Sequence, residues 1–456
     1  MIALTTSGAR VPRSTLAAAA APSVPLAALT LPLSIYLPTY YAQVLGYNLA
    51  SVAAAFTLVR LLDIALDPIL GGLMDSAKGR WRSRRVWLIA SLPLILAATW
   101  KVFFANRHES VTEVGIWLVA LYAGYSLAVL SQLAISAGLS PSYAERSRIY
   151  AWWQGGNVVG MLIAQFVPVV LAGYGDADGR VSVPAMGGLI LALAPLTFLL
   201  TSTLVPDNLH AERSTSFHAA DYFTLFRSKA VRNLVLVDLL LGLSFGIPSV
   251  AFVFYFSIVK RLDRSEIAIL VIAYLLLSIA AGPLWAALTA RIGKHRALAC
   301  AAVLFAAVFG IVWLVPPGMP WLMTAAYSMG GIAYSAITLL PRAMMADVSD
   351  EQRLLHGTDR TALLFALLVG TFKIGAALSV GLVFWTLQRA GFSATLGAMN
   401  SPAALATLKM LYFAPPVCLC LASALIIWRF PLTAERHAQI RAELESCRMA
   451  LSRQNA

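Results

Sequence analysis

Three ionisable residues, Arg60, Asp63 and Asp67, stand inside the apolar run LASVAAAFTLVRLLDIALDPILGGLM. In a helix the two carboxylates share one face, and Arg60 lies one turn before them. The run is long enough to cross a bilayer at about 1.5 Å per residue. Counted back from the basic turn that begins near Asp75, Asp67 is about 12 Å deep and Asp63 about 18 Å. Two adjacent anions at that depth are costly and are tolerated only when they share a proton, an arginine or a bound cation. One arginine balances one acid. Pro68 frees the carbonyl of Ile64 and adds a ligand oxygen between the acids. The set suits reversible binding of a small cation, H+ or Na+, at Asp63 and Asp67. The alternative is an Arg60–Asp63 pair that only braces the bundle.

Other polar groups sit in apolar surroundings. Lys373 is central in TALLFALLVGTFKIGAALSVGLVFW, too deep to snorkel to an interface about 15 Å away. It is a candidate counter-charge to Asp63 and Asp67, or a ligand for an anionic substrate group, with a static ion pair as the alternative. Asp238, in LVLVDLLLGLSFG, is a candidate coupling acid. It lies about 9 Å along the helix from Arg232, so pairing with that base is the competing reading. Tyr36, Tyr40, Tyr122, Gln132, Gln154 and Asn157 supply an aromatic–amide mixture suited to stacking and hydrogen bonding around a polar organic substrate. Trp152 and Trp153 equally suit an interfacial belt.

These residues must be carried by membrane helices. The chain has 456 residues, 59% apolar and 12% charged, with a mean hydropathy of +0.77, which marks a polytopic helical membrane protein. Polar breaks delimit twelve expected spans. They group as a cytoplasmic segment at 1–20, a six-helix half at 21–205, a central cytoplasmic loop at 206–230, a second half at 231–430 and a cytoplasmic tail at 431–456. A weak echo between DPILGGLMDSAKGRWRSRR and GPLWAALTARIGKHR supports two related halves. With both termini placed inside, 24 of the 34 basic residues fall on the cytoplasmic side and eight outside. The excess positive charge is therefore a matter of topology, not a nucleic-acid footprint. The four cysteines have no metal or disulfide spacing, and no HExxH, GxSxG or P-loop pattern occurs. Neither an enzyme nor a cofactor is expected, and the protein is read as a monomer in the bacterial inner membrane.

The run RLLDIALDPILGGLMDSAKGRWRSRRVW resembles the signature of the glycoside–pentoside–hexuronide:cation symporters, the melibiose-carrier-like branch of the major facilitator superfamily. LPRAMMADVSDEQRLLHGTDRTALLFALLVGTFKIGAALSVGL is similar to that family's tenth-to-eleventh helix region, and RFPLTAERHAQIRAELE to its tail. The likeness covers essentially the whole chain. It implies an all-helical carrier of twelve spans that alternates between inward- and outward-open states. Asp63 and Asp67 would match the cation-binding carboxylates, Arg60 the arginine before them, Lys373 the helix-eleven lysine and Ser126 a helix-four hydroxyl near the cation.

Departures from the pattern bear on the substrate. Ala27, Val129 and Leu133 stand where the melibiose carrier has sugar-binding side chains. Gln154 replaces a helix-five arginine, and Leu66 an asparagine of the sodium shell. The resemblance implies cation-coupled symport of a polar solute of the sugar or glycoside type. The alternative is a carrier or flippase for a lysolipid-like amphipathic or anionic substrate, and a more remote one is a non-transporting membrane scaffold.

Overall fold

The computed structural model describes residues 10–76, 83–106, 109–137, 139, 143–171, 179–206, 225–356, 361–394 and 399–432, with a few positions of the tail. The central loop expected at 206–230 falls mostly outside these residues, at 207–224, as do Lys78, Arg80 and Arg82 of the basic turn. Among the described residues there are helices and no strands. Among the described residues nine helices are long and apolar enough to cross a membrane, or ten when a pair bent by 46° is taken as one span.

The first span begins at Arg13, before the boundary expected at residue 21, because Pro12 precedes an alanine-rich run with strong helix propensity. It is built of α1 (Arg13–Ala20), α2 (Ser23–Leu31), a π turn (Pro32–Tyr36) and α3 (Leu37–Gln43). Next come α4 (Leu49–Ser76), α5 (Arg84–Phe103), α6 (Val111–Ala137), α7 (Tyr143–Leu171) and α8 (Ser182–Leu204). Then follow α9 (Lys229–Phe254), a second π turn (Tyr255–Val259), α10 (Arg264–Ala280), α11 (Gly282–Ile292) and α12 (Lys294–Leu314). The last three helices are α13 (Pro320–His356), α14 (Thr361–Arg389) and α15 (Pro402–Trp428). The bent pair is α10 with α11. The charged helix α4 and the 37-residue α13 stand outside the nine.

The described residues form two compact units. One draws on Met1–Thr215, Asp263–Ala268 and Phe384–Ser401, the other on Ser216–Leu262, Ile269–Val383 and Pro402–Ala456. In the first unit α6 packs against α4 and α5, while α2 packs against α7 and α8. A Cβ on Gly160 of α7 would overlap the Val24 carbonyl of α2, so this glycine sets how closely the two backbones approach. In the second unit α15 packs against α9 and α12, and α13 against α12 and α9. There a Cβ on Gly331 of α13 would overlap the Tyr274 carbonyl of α10. Helix contact through small residues is the usual solution where lipid provides no hydrophobic drive between helices.

Candidate functional site

In the first unit, α4 runs unbroken through Asp63, Asp67 and Pro68. Asp63 is 7% exposed, while Arg60 and Asp67 are half-buried. From α6, Ser126 Oγ donates a hydrogen bond of 2.9 Å to Asp63 Oδ1, and Ser126 is itself buried. The structure thus joins the acid with a hydroxyl one helix away. This arrangement presents carboxylate and hydroxyl oxygens, the hard donors that H+ and Na+ prefer.

The expected cavity residues of this unit divide. Tyr36 is fully buried and donates to Gln165 Oε1 at 2.8 Å, tying the first span to α7. Gln132 is 1% exposed, and its Nε2 donates to the Ala19 carbonyl at 2.9 Å and to Ser23 Oγ at 2.8 Å. Tyr36 and Gln132 thereby tie helices together, a packing role in place of the cavity-lining one expected. Polar side chains in an apolar interior reach the nearest backbone or amide partner first. Tyr40 is buried edge-on to Tyr41, their ring centroids 6.1 Å apart. Tyr122 is half-buried, Gln154 is exposed, and Asn157 Nδ2 donates back to the Trp153 carbonyl at 3.0 Å. Near them lies an apolar groove of about 470 Å³, lined by residues including Ala17, Ala21, Val24, Trp152 and Gly155.

The second unit holds Asp238, Lys373 and a set of rings. Asp238 is buried and accepts a hydrogen bond from Thr371 Oγ1 at 3.3 Å. The competing reading of Asp238, a pair with Arg232, does not occur. Arg232 is exposed and its Nη1 donates to the Phe226 and Arg227 carbonyls, while Arg342 of α13 is the cation that acts on Asp238. Arg342 also donates to the Thr338 carbonyl one turn back on its own helix. Lys373 is half-buried on α14, beside Phe372.

Sequence reasoning missed the rings. Phe245 of α9 stacks on Tyr334 at 5.1 Å between centroids, Tyr334 meets Tyr274 at 5.4 Å, and Tyr274 stacks on Tyr327 at 5.2 Å. Phe256 then bridges Tyr327 and Tyr412 at 5.4 and 5.6 Å, and Tyr412 stacks on Tyr255 at 3.9 Å. The hydroxyls of Tyr274 and Tyr412 are buried and have no hydrogen-bond partner among the described residues. Leaving a buried hydroxyl unpaired costs about 1–3 kcal/mol. Tyr327 and Tyr334 lie seven apart on α13, two turns along one face, and that spacing was the available signal.

Comparison with known proteins follows the same lines. A putative glycoside/cation symporter, YagG, of Escherichia coli strain K12 is 21% identical over 90% of this chain and 90% of its own length. The glucuronide carrier protein homolog of the same strain is 22% identical, covering 91% of each chain. The sodium-dependent lysophosphatidylcholine symporter 1 of Mus musculus is 22% identical over 91% of this chain and 85% of its own. The crystal structure of the nucleoside transporter NupG superposes with a TM-score of 0.67 at 13% identity, covering 92% of this chain and 98% of that one. Its likeness extends to the fold alone. The family described as MFS/sugar transport protein matches residues 18–434. With its apolar spans, its buried acid on α4 and this match over nearly the whole length, the chain belongs to the MFS/sugar transport protein family and is a multi-pass membrane transporter.

Proposed function

We propose that the protein is a cation-coupled symporter that moves a polar organic solute of the sugar or glycoside type, with Asp63, Asp67 and Ser126 holding H+ or Na+. The observation that carries this reading is the hydrogen bond from Ser126 to the buried Asp63, which links two helices of the first unit at a carboxylate in an apolar span. Occupation by a cation relieves the cost of that buried charge, so the ion changes which conformations of the carrier are accessible. Solute and ion then raise each other's affinity by the same factor. Arg60 organises the acids. Lys373 and Asp238 are proposed to act in the second unit, on an anionic substrate group and as a coupling acid respectively. The relatives named as glycoside/cation symporter and glucuronide carrier support the substrate class. Both termini are assigned to the cytoplasm on the distribution of basic residues.

Proteoliposome uptake tests this reading. A panel of radiolabelled glycosides and glucuronides is offered with an inward Na+ gradient, with an inward H+ gradient, and with neither. Accumulation above equilibrium under one gradient, lost in Asp63→Asn, is the expected result. Equal uptake with and without both gradients would overturn it.

A second reading has its own observation. The apolar groove of about 470 Å³ beside Ala17 and Trp152 has room for an acyl chain, and one relative is named a lysophosphatidylcholine symporter. Competition of the same uptake by lysophosphatidylcholine at concentrations below its micelle threshold would favour it.

A further inference from the structure

The second unit contains a group of phenols that cation coupling leaves without a task. Tyr274 is 6% exposed and Tyr412 1%, and both hydroxyls lack a hydrogen-bond partner among the described residues. Tyr274 packs against Tyr327 and Tyr334, and Phe256 links Tyr327 to Tyr412, so four phenol-bearing rings from α10, α13 and α15 gather in one region. If these rings served packing alone, phenylalanine would fill the same space without stranding a hydroxyl. The stranded groups point to a ligand that brings its own donors and acceptors.

The surroundings limit what that ligand is. Tyr327, Tyr334 and Phe245 are half-buried, while Tyr274 and Tyr412 stand deeper. Phe245 stacks on Tyr334 and Tyr274 on Tyr327, so one face of each ring is taken by its neighbour, and the accessible aromatic surface is that of the half-buried Tyr327, Tyr334 and Phe245. An acyl chain would cover the rings and still leave both hydroxyls unmatched. A pyranose ring offers apolar C–H faces to the aromatic planes and hydroxyls to the phenols, which meets both requirements at once.

We propose that Tyr274, Tyr327, Tyr334 and Tyr412 form a subsite in the second unit that binds the uncharged sugar ring of the transported solute, with the Tyr274 and Tyr412 hydroxyls as its hydrogen-bonding anchors. The proposal rests on the glycoside reading of the function and adds where, and by which side chains, the sugar is recognised.

The test uses the purified full-length protein and a panel of 4-nitrophenyl glycosides of glucose, galactose and xylose in the pyranose form. Binding is measured by titration calorimetry, and the melting temperature is followed with and without Na+ at fixed pH. At least one glycoside binds the parent protein. Tyr274→Phe and Tyr412→Phe each weaken it roughly tenfold or more, while the unliganded melting temperature is unchanged or raised and the response to cation is kept. Three results overturn the proposal: no binding by any glycoside of the panel, undiminished binding in both variants, or a fall in unliganded stability that accounts for the lost binding. Coupling is judged separately. Glycoside binding that persists without any cation response in parent protein and Asp63→Asn alike would remove the symport reading and leave the subsite standing.

Discussion

In the first unit the second and fourth spans, α4 and α6, meet through a hydroxyl and a carboxylate, Ser126 and Asp63. In the second unit the helices of the same order, α10 and α13, meet through a glycine and a backbone carbonyl, Gly331 and Tyr274, with aromatic rings on either side. The same pair of positions in the helix order thus carries opposite chemistry. One contact places a charge in an apolar span and stays stable only with a partner for it. The other brings two backbones close, with Tyr274, Tyr327 and Tyr334 packed ring against ring beside the seam. A two-unit carrier can in this way give ion recognition to one half and recognition of a neutral ring to the other, while both halves keep the same helical plan.

The largest expected effect tests the charged seam. Asp63→Asn should reduce gradient-driven uptake by about 100-fold or more, because the neutral amide takes up no proton and lacks the negative charge that draws a cation into an apolar span, and full uptake in that variant would break the comparison outright. Next come the close approaches of the backbones. Gly160→Ala in the first unit and Gly331→Ala in the second should each destabilise the folded protein by about 3 kcal/mol or more, since the obstacle is backbone that has no rotamer to yield. Chemical denaturation in detergent reads both, and a loss in only one unit would show that the two seams are not equivalent. Ser126→Ala should leave the protein folded and weaken cation affinity roughly tenfold, in line with about 1.5–3 kcal/mol for a hydrogen bond to a charged group, as followed by cation titration of the melting temperature. The smallest effect is expected at Lys294, whose Nζ lies 2.6 Å from Asp347 Oδ2 with side chains 40% and 17% exposed. Lys294→Ala should cost under about 1 kcal/mol, and a larger loss would mark that pair as part of the second unit's working parts.

The sequence made Asp63 visible because a carboxylate inside an apolar run is costly wherever the run is helical. That argument needs no tertiary structure. Ser126 came from resemblance alone, since nothing in its own neighbourhood separates it from Ser131 or Ser136. Tyr36 and Gln132 show the opposite limit. Their types suit a cavity, but which face of a helix meets a neighbour is settled by packing, and both turned toward an adjacent helix. Asp238 was weighed against Arg232 on distance along one helix, and Arg342 from another helix was beyond the reach of that reasoning. The tyrosine group was legible only in the spacing of Tyr327 and Tyr334, for the same reason. Tyr255, Tyr274, Tyr327 and Tyr412 are spread over more than 150 positions of the chain, and each alone reads as an interfacial or core aromatic.

The opening span of each unit winds through a five-residue π turn, Pro32–Tyr36 in one and Tyr255–Val259 in the other. Such a turn stores one surplus residue relative to the ordinary α register. Were either to tighten into the α register with no residue lost, everything beyond it would swing by about 100°. In the first unit that rotation would carry Tyr40 and Tyr41 off their present bearings, and in the second it would re-aim the chain leading to Lys260. These two swellings act as phase adjusters: each takes up one amino acid within a turn, so that the helix face beyond it keeps its bearing.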